Sequence, residues 1–191
     1  IIELSKILKE WLERAEEEVH LLTNFYVNAE EVDALVLLPK SDLIVIDLKS
    51  GSGTITGQEN GDWYCTPDDG NEFKINKGRR NPLNQASRKR YAIIKYLENR
   101  KDEIFGPQKA PHMDFYHTNS VITFSGPITW DKEQLPSKYL GWFDVLGLEE
   151  IPEKLNQLRS KKYLVNIDKD EAWRIPTLLS LTNEDEETEA V

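Results

Sequence analysis

Val32–Asp33–Ala34–Leu35–Val36–Leu37–Leu38–Pro39 and Leu43–Ile44–Val45–Ile46–Asp47–Leu48–Lys49, joined by Lys40–Ser41–Asp42, decide the reading of this chain. Each run is almost continuously apolar, rich in aliphatic side chains and of strand length, which is the signature of a strand buried on both faces. A short polar link between two such runs predicts an antiparallel pair. Pro39 ends the first run because it offers no N–H to a sheet ladder.

The neighbouring segments extend the pattern. His20 to Val27 mixes β-branched, aromatic and apolar residues and reads as a strand. Before it, Leu4, Ile7, Leu8, Trp11, Leu12 and Ala15 recur at helical spacing, with charges between them, so residues 3–19 read as an amphipathic helix. Beyond Lys49, the glycine-rich residues 51–61 and Trp63–Tyr64–Cys65 predict short strands and turns, followed by an exposed loop over 66–72. Asn81 as N-cap and Pro82 in the first turn open a helix running to about Arg100, its inner side built from Ala86, Ile93, Ile94 and Leu97. Ser120 to Phe124 is a further strand, stopped by Ser125–Gly126–Pro127, and helices are predicted over about 149–160 and 168–181. The order is α-β-β-β-(turns)-α-β-α-α, a single mixed α/β domain.

Composition bounds the rest. At 191 residues the chain is one domain, or one domain with a small appendage. With 39% hydrophobic and 30% charged residues it can build a core beneath a heavily charged surface. No stretch reaches the roughly 20 apolar residues of a membrane span. The single cysteine, Cys65, excludes an internal disulfide and a cysteine-rich zinc site, and a reducing, cytoplasmic location is the expectation. A first residue of Ile rather than Met reads as a piece of a longer polypeptide, to which additional domains or protein partners would belong.

The net charge is −10, but it is unevenly spread. Glu184, Asp185, Glu186, Glu187 and Glu189 form an acidic tail over residues 184–191 that reads as disordered. Residues 77–95 hold Lys77, Arg79, Arg80, Arg88, Lys89, Arg90 and Lys95 and no acid, a local charge of +7. Screening confines each charge to about 8 Å at physiological salt, so this local excess outweighs the chain-wide sum for contact with a phosphate backbone. Lys77, Arg79, Arg80, Arg88 and Lys89 are the candidate nucleic-acid-binding residues. A solvated basic helix face is the plainer alternative.

The candidate chemistry lies in the second apolar run. Alternation along a strand points Asp47 and Lys49 to one face and Leu48 to the other. Asp33 is likewise the lone acid of the first run. A carboxylate within such a run is costly unless compensated. Two acids converging there would hold a hard divalent cation, Mg²⁺ or Mn²⁺. A lysine beside the ion would orient an attacking water and offset charge on a phosphate, a set suited to phosphodiester hydrolysis. The bland alternatives are a strand-end carboxylate for Asp33 and an edge-guarding lysine for Lys49. Pro67–Asp68 with Glu72–Phe73–Lys74 repeats the pattern, but it lies in a polar turn without a buried strand to fix it. No phosphate-binding P-loop occurs, the glycine spacing after Lys49 is wrong for a dinucleotide loop, and His112 and His117 match no common metal spacing.

Val32–Asp33 before an apolar strand, Val45–Ile46–Asp47–Leu48–Lys49, Gly53–Thr54–Ile55, Trp63 and Asn81–Pro82–Leu83–Asn84–Gln85, with the approach His20–Leu21–Leu22–Thr23–Asn24, together resemble the nuclease-related domain of the PD-(D/E)XK nuclease superfamily. The resemblance covers about residues 3–125. It implies a restriction-endonuclease-like α/β fold, with a mixed sheet of about four to five strands flanked by helices. The core would span residues 1–125, with a C-terminal helical extension over 126–183 packed on it. It also implies Asp33 and Asp47 as metal-ligating carboxylates, the Leu48 carbonyl as a further ligand, Lys49 as the catalytic lysine, Gln85 as an active-site polar group, and a glutamate from the first helix, Glu3 before Glu10. Two departures stand out: Asp47 replaces the commoner glutamate, and Glu3 follows Ile2 instead of a glycine. Taken on its residues alone, Gln85 is equally an ordinary polar helix position. The function implied is a divalent-metal-dependent nuclease acting on DNA or RNA. The alternative is a non-catalytic nucleic-acid-binding or protein-interaction module.

Overall fold

The apolar runs pair as their spacing requires. A computed structural model describes residues 1–15, 19–38, 43–76, 80–159 and 167–179. After helix α1 (Ile2–Ala15), strands β1 (His20–Val27) and β2 (Glu30–Leu37) form an antiparallel hairpin. Its turn, Asn28–Ala29, has φ of 49° and 63°, the left-handed pair that matches the twist of flanking strands. β3 (Leu43–Lys49) returns antiparallel to β2, in register from Leu37↔Leu43 to Ala34↔Ile46. The polar link at Lys40–Asp42 lies outside the described residues, as does the acidic tail.

A small sheet follows, from β4 (Gly53–Thr56), β5 (Tyr64–Thr66) and β6 (Phe73–Lys74). Helix α2 (Pro82–Glu98) then crosses the main sheet, and α3 (Lys101–Lys109) bends at Gly106, whose φ of 75° suits glycine. β7 (Asn119–Phe124) runs parallel to β3. The segment expected to be a helical extension supplies helices and more. β8 (Ile128–Trp130) joins the small sheet, α4 (Ser137–Leu140) is one short turn, and β9 (Phe143–Gly147) pairs in parallel with β7. Helices α5 (Ile151–Arg159) and α6 (Lys169–Leu178) complete the described chain. The main sheet has five strands in the order β1-β2-β3-β7-β9 and the second has four in the order β6-β5-β4-β8, so β8 and β9 each form an edge. The architecture is the mixed α/β core that the strand and helix spacing implies.

Strand alternation divides the core. Leu43 and Val45 of β3 pack with Ile93, Ile94 and Leu97 of α2 and with residues of α3 and α6. Ile44 and Ile46 pack on the other face, against Leu4 and Leu8 of α1 and Leu155 and Leu158 of α5. A third cluster joins the small sheet, the start of α2, and Ile122 and Phe124 of β7. Each buried aliphatic side chain stabilises by about 1.5–3 kcal/mol, which is why both faces of β3 are apolar until the strand nears its end. Asp47 and Lys49 follow Leu43 and Val45 at the same phase and so point under α2. None of the described helices is long and apolar enough to cross a membrane.

Candidate active site

Asp33 and Asp47 oppose each other one step beyond the Ala34↔Ile46 pair, on the face covered by α2. Asp33 Oδ2 accepts the Leu48 N–H at 2.8 Å, which ties its carboxylate to the partner strand. Asp47 is buried, at 1% exposure, yet it is surrounded by cations. Lys49 Nζ stands 2.7 Å from Asp47 Oδ2. Lys89 Nζ, descending from α2, donates to Asp47 Oδ1 and lies 3.4 Å from Asp33 Oδ2. The formal charges of the two acids and two amines cancel.

The environment splits the two acids. Burial and the adjacent Asp47 carboxylate push Asp33 above the ordinary value of 3.8, against the pull of the Leu48 N–H and Lys89. Burial opposes ionisation of Asp47 even more, but Lys49 and Lys89 outweigh it and hold its carboxyl below 3.8. Burial also works against the charge on Lys89, and Asp47 and Asp33 overcome it, keeping the ammonium protonated.

The sequence places Lys89 among the surface cations available to phosphate, and here the structure corrects it. The Lys89 side chain is 4% exposed and occupied by the two carboxylates. The reason is helical phase: Ala86, Lys89, Arg90, Ile93, Ile94 and Leu97 form one continuous inner stripe, and all are buried. That stripe is visible in the spacing, but lysine and arginine within it read as surface residues. Arg90 is likewise buried, and its guanidinium donates to the carbonyl oxygens of Thr118, at 2.6 Å, and Tyr116. Arg88 is paired with Glu30. Arg80 and Lys95 are exposed, while Lys77 and Arg79 lie outside the described residues. The +7 stretch is therefore not one open basic face.

Gln85 precedes Lys89 by one turn on the same side of α2, and its Oε1 accepts from Asn76 Nδ2 at 2.7 Å. Asn76, with φ of 59°, carries no signal in the sequence that marks it for this contact. Glu3 is not brought to the carboxylates by any described contact. It belongs to α1, which covers the opposite face, it is exposed, and it lies 3.7 Å from Lys6. Glu10 is exposed on the same helix. In the second, rejected copy of the pattern, Glu72 is exposed and Lys74 pairs with Asp62. Trp63 is fully buried and stacked on Trp130, so it packs the core, whereas Tyr91 is exposed on α2.

Asp33, Asp47 and the Leu48 carbonyl are the groups here that could hold a divalent ion, and one observation fits them to it. Asp47 Oδ2 is buried, with the Lys49 ammonium 2.7 Å away. An ionised oxygen so placed keeps a lone-pair direction for a cation. No group of three or more acidic, histidine or cysteine side chains gathers for a metal among the described residues, so solvent or substrate oxygens would complete the shell.

Residues 3–125 match the family model described as the nuclease-related domain. No curated protein matches the chain.

Proposed function

The chain belongs to the nuclease-related domain family, and from that premise we propose that it is a divalent-metal-dependent nuclease hydrolysing phosphodiester bonds in DNA or RNA. The observation that carries this reading is the convergence on one face of Asp33, midway along β2, with Asp47 and Lys49 at the C-terminal end of β3. Asp33 and Asp47, with the Leu48 carbonyl, would hold Mg²⁺ or Mn²⁺. Such an ion lowers the pKa of a bound water and polarises the phosphoryl oxygens.

The chain's own groups supply the rest. Ionised Asp47 fixes the Lys49 ammonium at 2.7 Å, and Lys49, still partly open to solvent, directs its remaining N–H groups toward incoming water or phosphate oxygen. Gln85, held by Asn76 one helical turn before Lys89, would position substrate through a neutral hydrogen bond from its amide nitrogen. Arg80 and Lys95 offer exposed positive charge for backbone contact, which carries affinity without base preference.

The reading is tested by incubating the protein with single- and double-stranded DNA and RNA, with Mg²⁺, with Mn²⁺ or with chelator. Cleavage should require the ion, fall below detection in Asp47→Asn, and drop about 10²–10³-fold in Lys49→Met while nucleic-acid binding persists. Unchanged cleavage in both variants overturns the proposal. One observation favours a non-catalytic binding module instead: Lys89 already balances the carboxylates. Salt-sensitive binding with no ion-stimulated turnover on any substrate would establish that alternative.

A further inference from the structure

The Lys89 ammonium contacts both of the carboxylates, Asp33 and Asp47, that would share a divalent ion. It donates to Asp47 Oδ1, is 3.4 Å from Asp33 Oδ2, and is sealed beneath α2 at 3% exposure for the whole residue. An ion held by both carboxylates would draw on the same negative charge that Lys89 now offsets. A monovalent ammonium and a divalent ion within about 4 Å repel each other, the more so because Lys89 and Asp47 are both buried. Both cannot stay. Lys89 also differs from Lys49 in its attachment. Lys49 extends from the same strand as Asp47 and meets its other oxygen, whereas Lys89 hangs on a separate element by an unbranched side chain that can swing away.

We propose that Lys89 is an internal cation that plugs the carboxylate pair and is displaced when a divalent ion enters, so that it sets the metal affinity of the site. The proposal rests on the metal-site reading above. The plug offsets the mutual repulsion of the buried Asp47 carboxylate and its half-buried neighbour Asp33, and metal entry exchanges one charge compensation for another. Lys89 is a positioning residue here, not one that touches the reacting atoms.

The test uses the full chain, with Mn²⁺ binding followed by calorimetry and thermal unfolding measured with and without the ion. Lys89→Met should bind Mn²⁺ about tenfold tighter than the unaltered protein, because the competing charge is gone. Its unfolding midpoint should be lower without Mn²⁺ and rise more on adding it. A merely structural lysine would lower the midpoint and leave the affinity unchanged or weaker. That result, with binding in the unaltered protein abolished by Asp47→Asn, overturns this proposal and leaves the metal site standing. Absence of Mn²⁺ binding in both the unaltered protein and Lys89→Met overturns both. Should Lys89→Met fail to fold, a crystal of the unaltered protein soaked in Mn²⁺ decides. Anomalous density between Asp33 and Asp47 with Lys89 Nζ withdrawn from both supports the exchange, and the same density with Lys89 still bonded to Asp47 overturns it.

Discussion

Asp47 holds its charge in a place where charge is expensive, and the pH dependence of the protein follows from how. Its carboxyl is kept below 3.8 because Lys49 and Lys89 outweigh burial, so the stability it contributes is complete above 3.8 and is lost as pH falls through the lower folded value. Asp33 has the opposite sign. Its folded value lies above 3.8, so it takes up a proton earlier in the native state, and that uptake adds stability as pH falls through the folded value. Thermal midpoints measured from pH 7 down to pH 2 should therefore show two components. The Asp33→Asn variant should lose the stabilising component above pH 3.8, and Asp47→Asn the steep loss below it. Coincident profiles for all three proteins would refute this assignment. The pair itself is legible in the sequence, because each of two adjacent apolar runs carries one lone acid, and burying either is costly unless the two serve a common ligand or cation. The identity of its second amine is not, because Lys89 is 42 residues from Asp47 and only the packing of α2 brings them together.

Among the elements, α2 shows how far local signals reach. Asn81 caps it by accepting the Asn84 N–H at 3.2 Å, Pro82 fills the first turn, and both are readable without tertiary information. The same Asn81 donates its side-chain N–H to Gly61 O at 2.7 Å, tying the helix start to the small sheet. The partner is 20 residues away along a glycine-rich segment that carries no periodic signal. The small sheet has its own close contact. A Cβ at Gly57 would lie 2.3 Å from the Trp63 ring, which is fully buried and stacked on Trp130 at 4.9 Å. The ring cannot give way, so Gly57→Ala should cost about 1–3 kcal/mol or more. Scanning calorimetry should register a fall of about 2–4 °C per kcal/mol for a chain of this size. A midpoint within about 1 °C of the unaltered protein would show that the loop relaxes instead.

The whole molecule does not end where the family match ends. Residue 125 lies just past β7, but β9 pairs along β7 from Ser120↔Phe143 to Phe124↔Gly147, and β8 extends the small sheet along β4. Phe143 and Val145 fill the third core cluster, and Leu148, Ile151, Leu155 and Leu158 cover the face opposite the active site. A fragment of residues 1–125 would expose these surfaces and leave β7 as a bare edge. It should show no cooperative thermal transition and weak near-ultraviolet dichroism, while residues 1–179 unfold cooperatively; a sharp transition in the shorter fragment would contradict this. The sequence by itself determined the strand pair, the phase that points Asp47 and Lys49 to one side, the N-cap and approximate length of α2, and the family, since all of these rest on short-range spacing and on apolar periodicity. Only the tertiary structure decided that β8 and β9 complete both sheets, that Glu3 lies on the helix covering the far face, and that a lysine counted as surface charge is the cation between the acids. Those outcomes depend on which faces meet, and a face is chosen by the burial of the entire core rather than by any residue's neighbours in the chain.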